Sequence, residues 1–83
     1  MKLEERIREL VAVGASVTAG CQPCLQYHVD KALESGADEK EIADAIEVGR
    51  SVRKGAGAKM DKFASSLNSG IPSGAAKEGC GCS

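Results

Sequence analysis

Apolar positions recur at helical spacing along most of the chain, and no stretch alternates in the way a strand would. Over residues 3–19, Leu3, Ile7, Leu10, Val11 and Val17 form one stripe with charges between them early on, which predicts an amphipathic helix. Its second half is small and apolar: Ala12, Gly14, Ala15, Ala19 and Gly20 offer a smooth surface for close helix approach. Gly20 and Pro23 punctuate the pattern, glycine as a helix end and proline as a first-turn residue of the next helix. That second helix is expected over residues 22–35, with Gly36 after it and Leu25, His28, Val29, Ala32 and Leu33 facing inward. Asp38 and Glu41 have the spacing of a capping box at the head of a third helix, with Ile42, Ala45, Ile46 and Val52 on one face. Helical spacing persists to Leu67 through Ala56, Met60 and Phe63, the last two assigned to the core, as one long helix or two collinear pieces broken near Gly49. The GAGAK run inside it lacks the spacing and the preceding strand of a phosphate loop.

Beyond Leu67 the composition shifts to Asn, Ser, Gly, Pro and Ala, which predicts a flexible tail over residues 68–83 carrying Cys80 and Cys82. The reading is therefore all-α: a small bundle of three to four helices in residues 1–67, followed by that tail. Only Tyr27 and Phe63 are aromatic among 83 residues, and Trp is absent. A core of Ala, Val, Ile and Leu contributes little burial per side chain, so a lone monomer of this size is marginal and self-association or a staple is expected. Tyr27 is placed at a subunit contact or a pocket rim. The net charge of −1 makes no case for nucleic acid or an anionic membrane. It is unevenly spread: residues 1–49 carry five basic against ten acidic side chains, and residues 50–83 six against two. The basic cluster Arg50, Arg53, Lys54, Lys59 and Lys62 is read as a solvated helix face that could also meet the acidic half of a neighbouring subunit. Residues 2–9 are too charged for a secretory leader, and Leu10 to Gly20 is too short and polar to span a membrane, so a cytoplasmic protein is expected.

The four cysteines fall in two local pairs, Cys21 with Cys24 and Cys80 with Cys82, which close loops too short to staple a fold. In a reducing compartment a close pair is redox-active or metal-binding. Cys21, Cys24 and the only histidine, His28, form C-x-x-C-x-x-x-H at the start of a helix. Cys24 and His28 lie one turn apart on one face, and Cys21 lies one turn before Cys24, at a separation that suits a disulfide. The helix N-terminus favours a thiolate, and the imidazole can take its proton. The dipole favours Cys21 as nucleophile and the nearby base favours Cys24, so helix physics alone leaves both open. A carboxylate would orient the imidazole, and Glu9 is the candidate, with a solvated charge like Glu4 and Glu5 as the alternative.

The complete pattern, Glu9-x11-Cys21-x2-Cys24-x3-His28, with the flanking ELVAVGASVTAGCQPCLQYHVDKA and the later EIADAIEVGRSVRKGAGAKM, resembles the alkylhydroperoxidase D-like branch of the carboxymuconolactone decarboxylase family. The resemblance spans residues 1–67. It implies an all-helical fold assembled as a homo-oligomer, often a trimer or hexamer, and a thiol-dependent peroxidase or disulfide oxidoreductase that needs no cofactor and is recycled by an external thiol reductant. By position it assigns Cys24 as reactive thiol, Cys21 as its disulfide partner, His28 as proton acceptor and Glu9 as relay. The better-studied members carry a histidine immediately before the reactive cysteine, where this chain has Pro23. The resemblance does not account for Cys80 and Cys82, which are read as an auxiliary electron shuttle, a soft-metal ligand pair or an inert end. Competing classes are a zinc protein using Cys21, Cys24, His28 and a tail thiol, a plain helical assembly module, and a decarboxylase that would leave the C-x-x-C idle.

Overall fold

The computed structural model describes residues 1–67, which contain three helices and no strand: α1 (Glu5–Ala19), α2 (Gln22–Glu34) and α3 (Glu39–Leu67). The tail with Cys80 and Cys82 lies outside the described residues. Each connection is set by a local signal. Gly20 ends α1 in the left-handed region, with φ 70°, and the Cys21 N–H folds back to the Ser16 carbonyl at 3.1 Å. Gly36, with φ 98°, ends α2 in the same way, and the Ala37 N–H donates to the Ala32 carbonyl at 2.9 Å. The capping box at the head of α3 forms as the spacing predicts. The Glu41 N–H donates to Asp38 Oδ1 at 2.8 Å and the Asp38 N–H to Glu41 Oε1 at 3.1 Å. The second oxygen of Glu41 pairs with the Arg6 guanidinium, which ties the start of α3 to α1. Asp38→Ala should therefore lower stability by about 1 kcal/mol, read as a shift in the denaturation midpoint.

α1 is the central element: α2 and α3 each pack along it and scarcely meet one another. The α1–α3 crossing is close because two glycines face each other. A Cβ on Gly49 would lie 2.3 Å from the Gly14 carbonyl oxygen, so only hydrogen fits there. The Thr18 hydroxyl lies 3.0 Å from the Gly49 carbonyl and 3.1 Å from that of Gly14, and one shared proton bridges the two backbones. There is no break at Gly49: α3 is one continuous helix of 29 residues.

The core is small. Val13, Ala32, Ala37 and Ile42 are buried, with Leu10, Leu25, Val29, Ala45 and Ile46 packed around them. The buried side of α1 is Glu9, Val13 and Ser16, whereas Leu3 and Val11 of the expected stripe are exposed, as is Leu33 on α2. Val52, Met60 and Phe63 are also exposed, Phe63 at 60%, which corrects the assignment of Met60 and Phe63 to the core. The cause is length. At a rise of about 1.5 Å per residue α3 runs to about 43 Å, roughly twice the length of α1. Every residue from 51 to 67 is exposed, and beyond Arg53, which still reaches Gly20, the helix projects past its partners.

Candidate functional site

The site forms where the end of α1, the turn after it and the start of α2 come together. Cys21 is the N-cap of α2 and its Sγ accepts the Cys24 N–H at 3.3 Å. The two sulfurs are joined in a disulfide, with Cα atoms 5.3 Å apart. Pro23 sits in the first turn, where its missing N–H costs no intrahelical hydrogen bond. Cys24 is exposed and Cys21 half-buried. His28 follows Cys24 by four residues on the same helix, the spacing at which side chains meet on one face. Tyr27, itself exposed, stands edge-on to the imidazole with ring centroids 5.0 Å apart.

Glu9 reaches this site from α1. It is 7% exposed, and its Oε1 lies 2.7 Å from His28 Nδ1. A carboxylate only accepts, so Nδ1 carries the proton and donates, and Nε2 is the ring nitrogen that Glu9 does not engage. Arg8 Nη2 lies 3.4 Å from the second oxygen. The hydrogen bond from His28 holds the Glu9 carboxyl below its ordinary value of 4.5, with the positive charges of His28, Arg8 and Lys31 acting in the same direction and burial opposing. A carboxyl whose pKa is lowered on folding stabilises the fold above its unfolded value, and that contribution disappears as pH falls through the folded value. Resistance to urea should therefore fall as pH drops below about 4.5, and Glu9→Gln should flatten that part of the profile.

The four residues form two pairs, the Cys21–Cys24 disulfide and the Glu9–His28 contact, with Cys24 and His28 one turn apart on α2. Among the described residues no group of three or more Cys, His, Asp or Glu side chains is arranged to hold a metal ion. Beside Cys21 opens a pocket of about 300 Å³ lined by Ser16, Val17, Gln22, Leu25 and Arg53. Arg53 was legible in sequence only as one cation in a basic run. Its place beside Cys21 depends on how α3 crosses α1.

The model of the carboxymuconolactone decarboxylase family matches residues 1–64. The chain belongs to that family. Two curated relatives are similar over the same helical region. An uncharacterized protein of Cupriavidus necator is 30% identical over 56 residues, which cover 68% of this chain and 50% of the relative. A protein of Paracoccus denitrificans described as "Uncharacterized protein 4 in cox locus" is 35% identical over 54 residues, 65% of this chain and 49% of the relative. The chain spans about half the length of these relatives. No solved structure matches it. No helix among the described residues is long and apolar enough to cross a membrane.

Proposed function

We infer that this chain is a thiol-dependent oxidoreductase that reduces a hydroperoxide or a disulfide, in the manner of the alkylhydroperoxidase D-like branch of its family. The observation that carries the reading is the disulfide at the start of α2 with His28 one turn on, held through Nδ1 by the buried carboxylate of Glu9. In the reduced protein, His28 Nε2 takes the Cys24 thiol proton. The helix N-terminus, with its outward-pointing N–H groups, favours the resulting thiolate.

The Cys24 sulfur then attacks a peroxide oxygen. The O–O bond breaks, the alcohol or water leaves, and Cys24 becomes a sulfenic acid. The Cys21 thiolate displaces the hydroxyl oxygen, which departs as water, and the Cys21–Cys24 disulfide forms. Two electrons have moved from the two cysteines to the peroxide, and an external thiol must return them. A cytoplasmic setting would supply such thiols. Cys80 and Cys82 are proposed as an auxiliary relay in that return.

The exposed apolar surface favours assembly into a homo-oligomer, a trimer or hexamer. It comprises a groove of about 440 Å³ between α1 and α3, lined among others by Val11, Val48 and Val52, and the side chains of Met60, Phe63 and Leu67 beyond it. The test of function is turnover of hydrogen peroxide, an organic hydroperoxide and a small disulfide against a dithiol, with metal analysis of the same sample. Turnover of any one of these substrates without bound metal is expected. Stoichiometric zinc with unreactive thiols would overturn the reading.

A further inference from the structure

The pocket beside Cys21 has a feature that the peroxide step leaves unused. Arg53 leans from α3 across the turn between α1 and α2. A Cβ on Gly20 would lie 3.3 Å from its Nη1, so the absence of a side chain there makes room for the guanidinium. Among the described residues Arg53 takes part in no ion pair. Its neighbours around the pocket are apolar, Val17 and Leu25, or carry an amide, Gln22, and the Ser16 hydroxyl is committed to the Ala12 carbonyl at 2.7 Å. The pocket therefore presents a charged fork donor and an apolar wall, and Cys21 of the disulfide is among its lining residues. The surrounding stretch of α3 adds Arg50, Lys54, Lys59 and Lys62 against Asp61 alone, a field that draws anions.

We propose that this pocket admits the reducing thiol, that the thiol is a small molecule carrying a carboxylate, and that Arg53 is the residue that selects it. The proposal rests on the disulfide-cycling reading above and adds the identity of its second reactant. A planar guanidinium matches a carboxylate with two parallel hydrogen bonds, which fixes orientation as well as adding attraction. With the carboxylate on Arg53, the thiolate of the same molecule is held in the pocket that Cys21 also lines.

Its sulfur forms a bond to Cys21 Sγ, and the Cys21–Cys24 bond breaks with its electron pair going to Cys24 Sγ. Cys24 is the better leaving group because His28 lies one turn from it and two turns from Cys21. A second thiolate of the same class attacks the external sulfur of the mixed disulfide and releases Cys21. In sum two thiols become one external disulfide, and their two electrons and two protons pass to Cys21 and Cys24.

The oxidised full chain is reduced separately with 3-mercaptopropionate, 2-mercaptoethanol and cysteamine, and release of Cys21 and Cys24 is followed by alkylation and peptide mass. Comparing wild type with Arg53→Ala for each reagent cancels the intrinsic reactivity of that thiol. The wild-type rate should exceed the Arg53→Ala rate about tenfold for 3-mercaptopropionate, as expected for one charge-assisted contact. The ratio should be smaller for the neutral thiol and smallest for the cationic one. Arg53→Lys should restore part of the preference, and Lys59→Ala, which keeps Arg53 but lowers the general field, should change it less than about twofold. Equal ratios for all three thiols would make Arg53 a structural residue and overturn the proposal while leaving the cycling reading intact. A disulfide that none of the three reduces would overturn both.

Discussion

Cys21→Ser, reduced and treated with hydroperoxide in the presence of a sulfenate-trapping dione, is expected to accumulate the adduct on Cys24. Cys24→Ser should give no adduct on Cys21 and should lose peroxide consumption by at least about a thousandfold, since a serine hydroxyl in place of a thiolate nucleophile removes the attacking group. Three features separate the two thiols. Cys24 is exposed, whereas Cys21 is half-buried. Cys24 precedes by one turn the imidazole that Glu9 holds at 2.7 Å, whereas Cys21 lies a further turn away. Cys21 is the N-cap, and its sulfur already accepts the Cys24 N–H at 3.3 Å. Without Cys21 the sulfenate has no thiol partner among the described residues and persists long enough to be trapped. An adduct on Cys21 in Cys24→Ser, with peroxide consumption retained, would reverse the roles of the two cysteines.

The largest effect on stability is expected at Gly49. Alanine there would place a methyl group 2.3 Å from the Gly14 carbonyl oxygen and 2.9 Å from Val17 Cβ. Neither neighbour is the free end of a flexible side chain, so α1 and α3 must separate. Forced overpacking of this kind costs about 1–3 kcal/mol or more, and loss of the Thr18 bridge to the Gly49 carbonyl adds about 1 kcal/mol. Against the few kcal/mol available to a small domain, Gly49→Ala should be mostly unfolded at room temperature or melt far below wild type. Gly55→Ala is the internal contrast. It lies on the same helix with no atom within 4 Å of its Cβ position. The substitution should therefore raise stability by about 0.5–1 kcal/mol through helix propensity alone. Thermal unfolding by circular dichroism reads both. Equal effects of the two substitutions would mean that the glycine crossing does not hold α1 to α3.

The helix boundaries, the capping box and the Cys21, Cys24, His28 spacing were legible because each depends on residues a few positions apart. Glu9 is 19 residues from His28, and composition alone would have sent it to solvent with Glu4 and Glu5. Its burial follows from the tertiary partner that satisfies it, and the spacing of the whole Glu-Cys-Cys-His pattern is what pointed to it. For the same reason the α1 stripe is only partly visible in the pattern: hydrophobicity ranks Leu3 and Val11 above Glu9 and Ser16, yet the last two are the buried ones. Gly49 reads as a helix breaker by propensity and serves as a contact surface, a distinction that requires knowing what lies opposite. Met60 and Phe63 have core periodicity without a core because α3 outruns both partners, and periodicity reports which face is apolar, not what covers it. Arg53 carries no local signal of its place beside Cys21.

The most direct test of the account is made on the fully reduced wild-type chain, titrated with hydrogen peroxide and mapped by peptide mass. One equivalent should convert Cys21 and Cys24 to an intramolecular disulfide with the loss of two hydrogens, a dithiol should restore both thiols, and Glu9→Gln should slow the oxidation about tenfold or more. If Cys21 and Cys24 stay reduced while the peroxide is consumed elsewhere in the chain, or remain unreactive around a bound zinc ion, the account is contradicted.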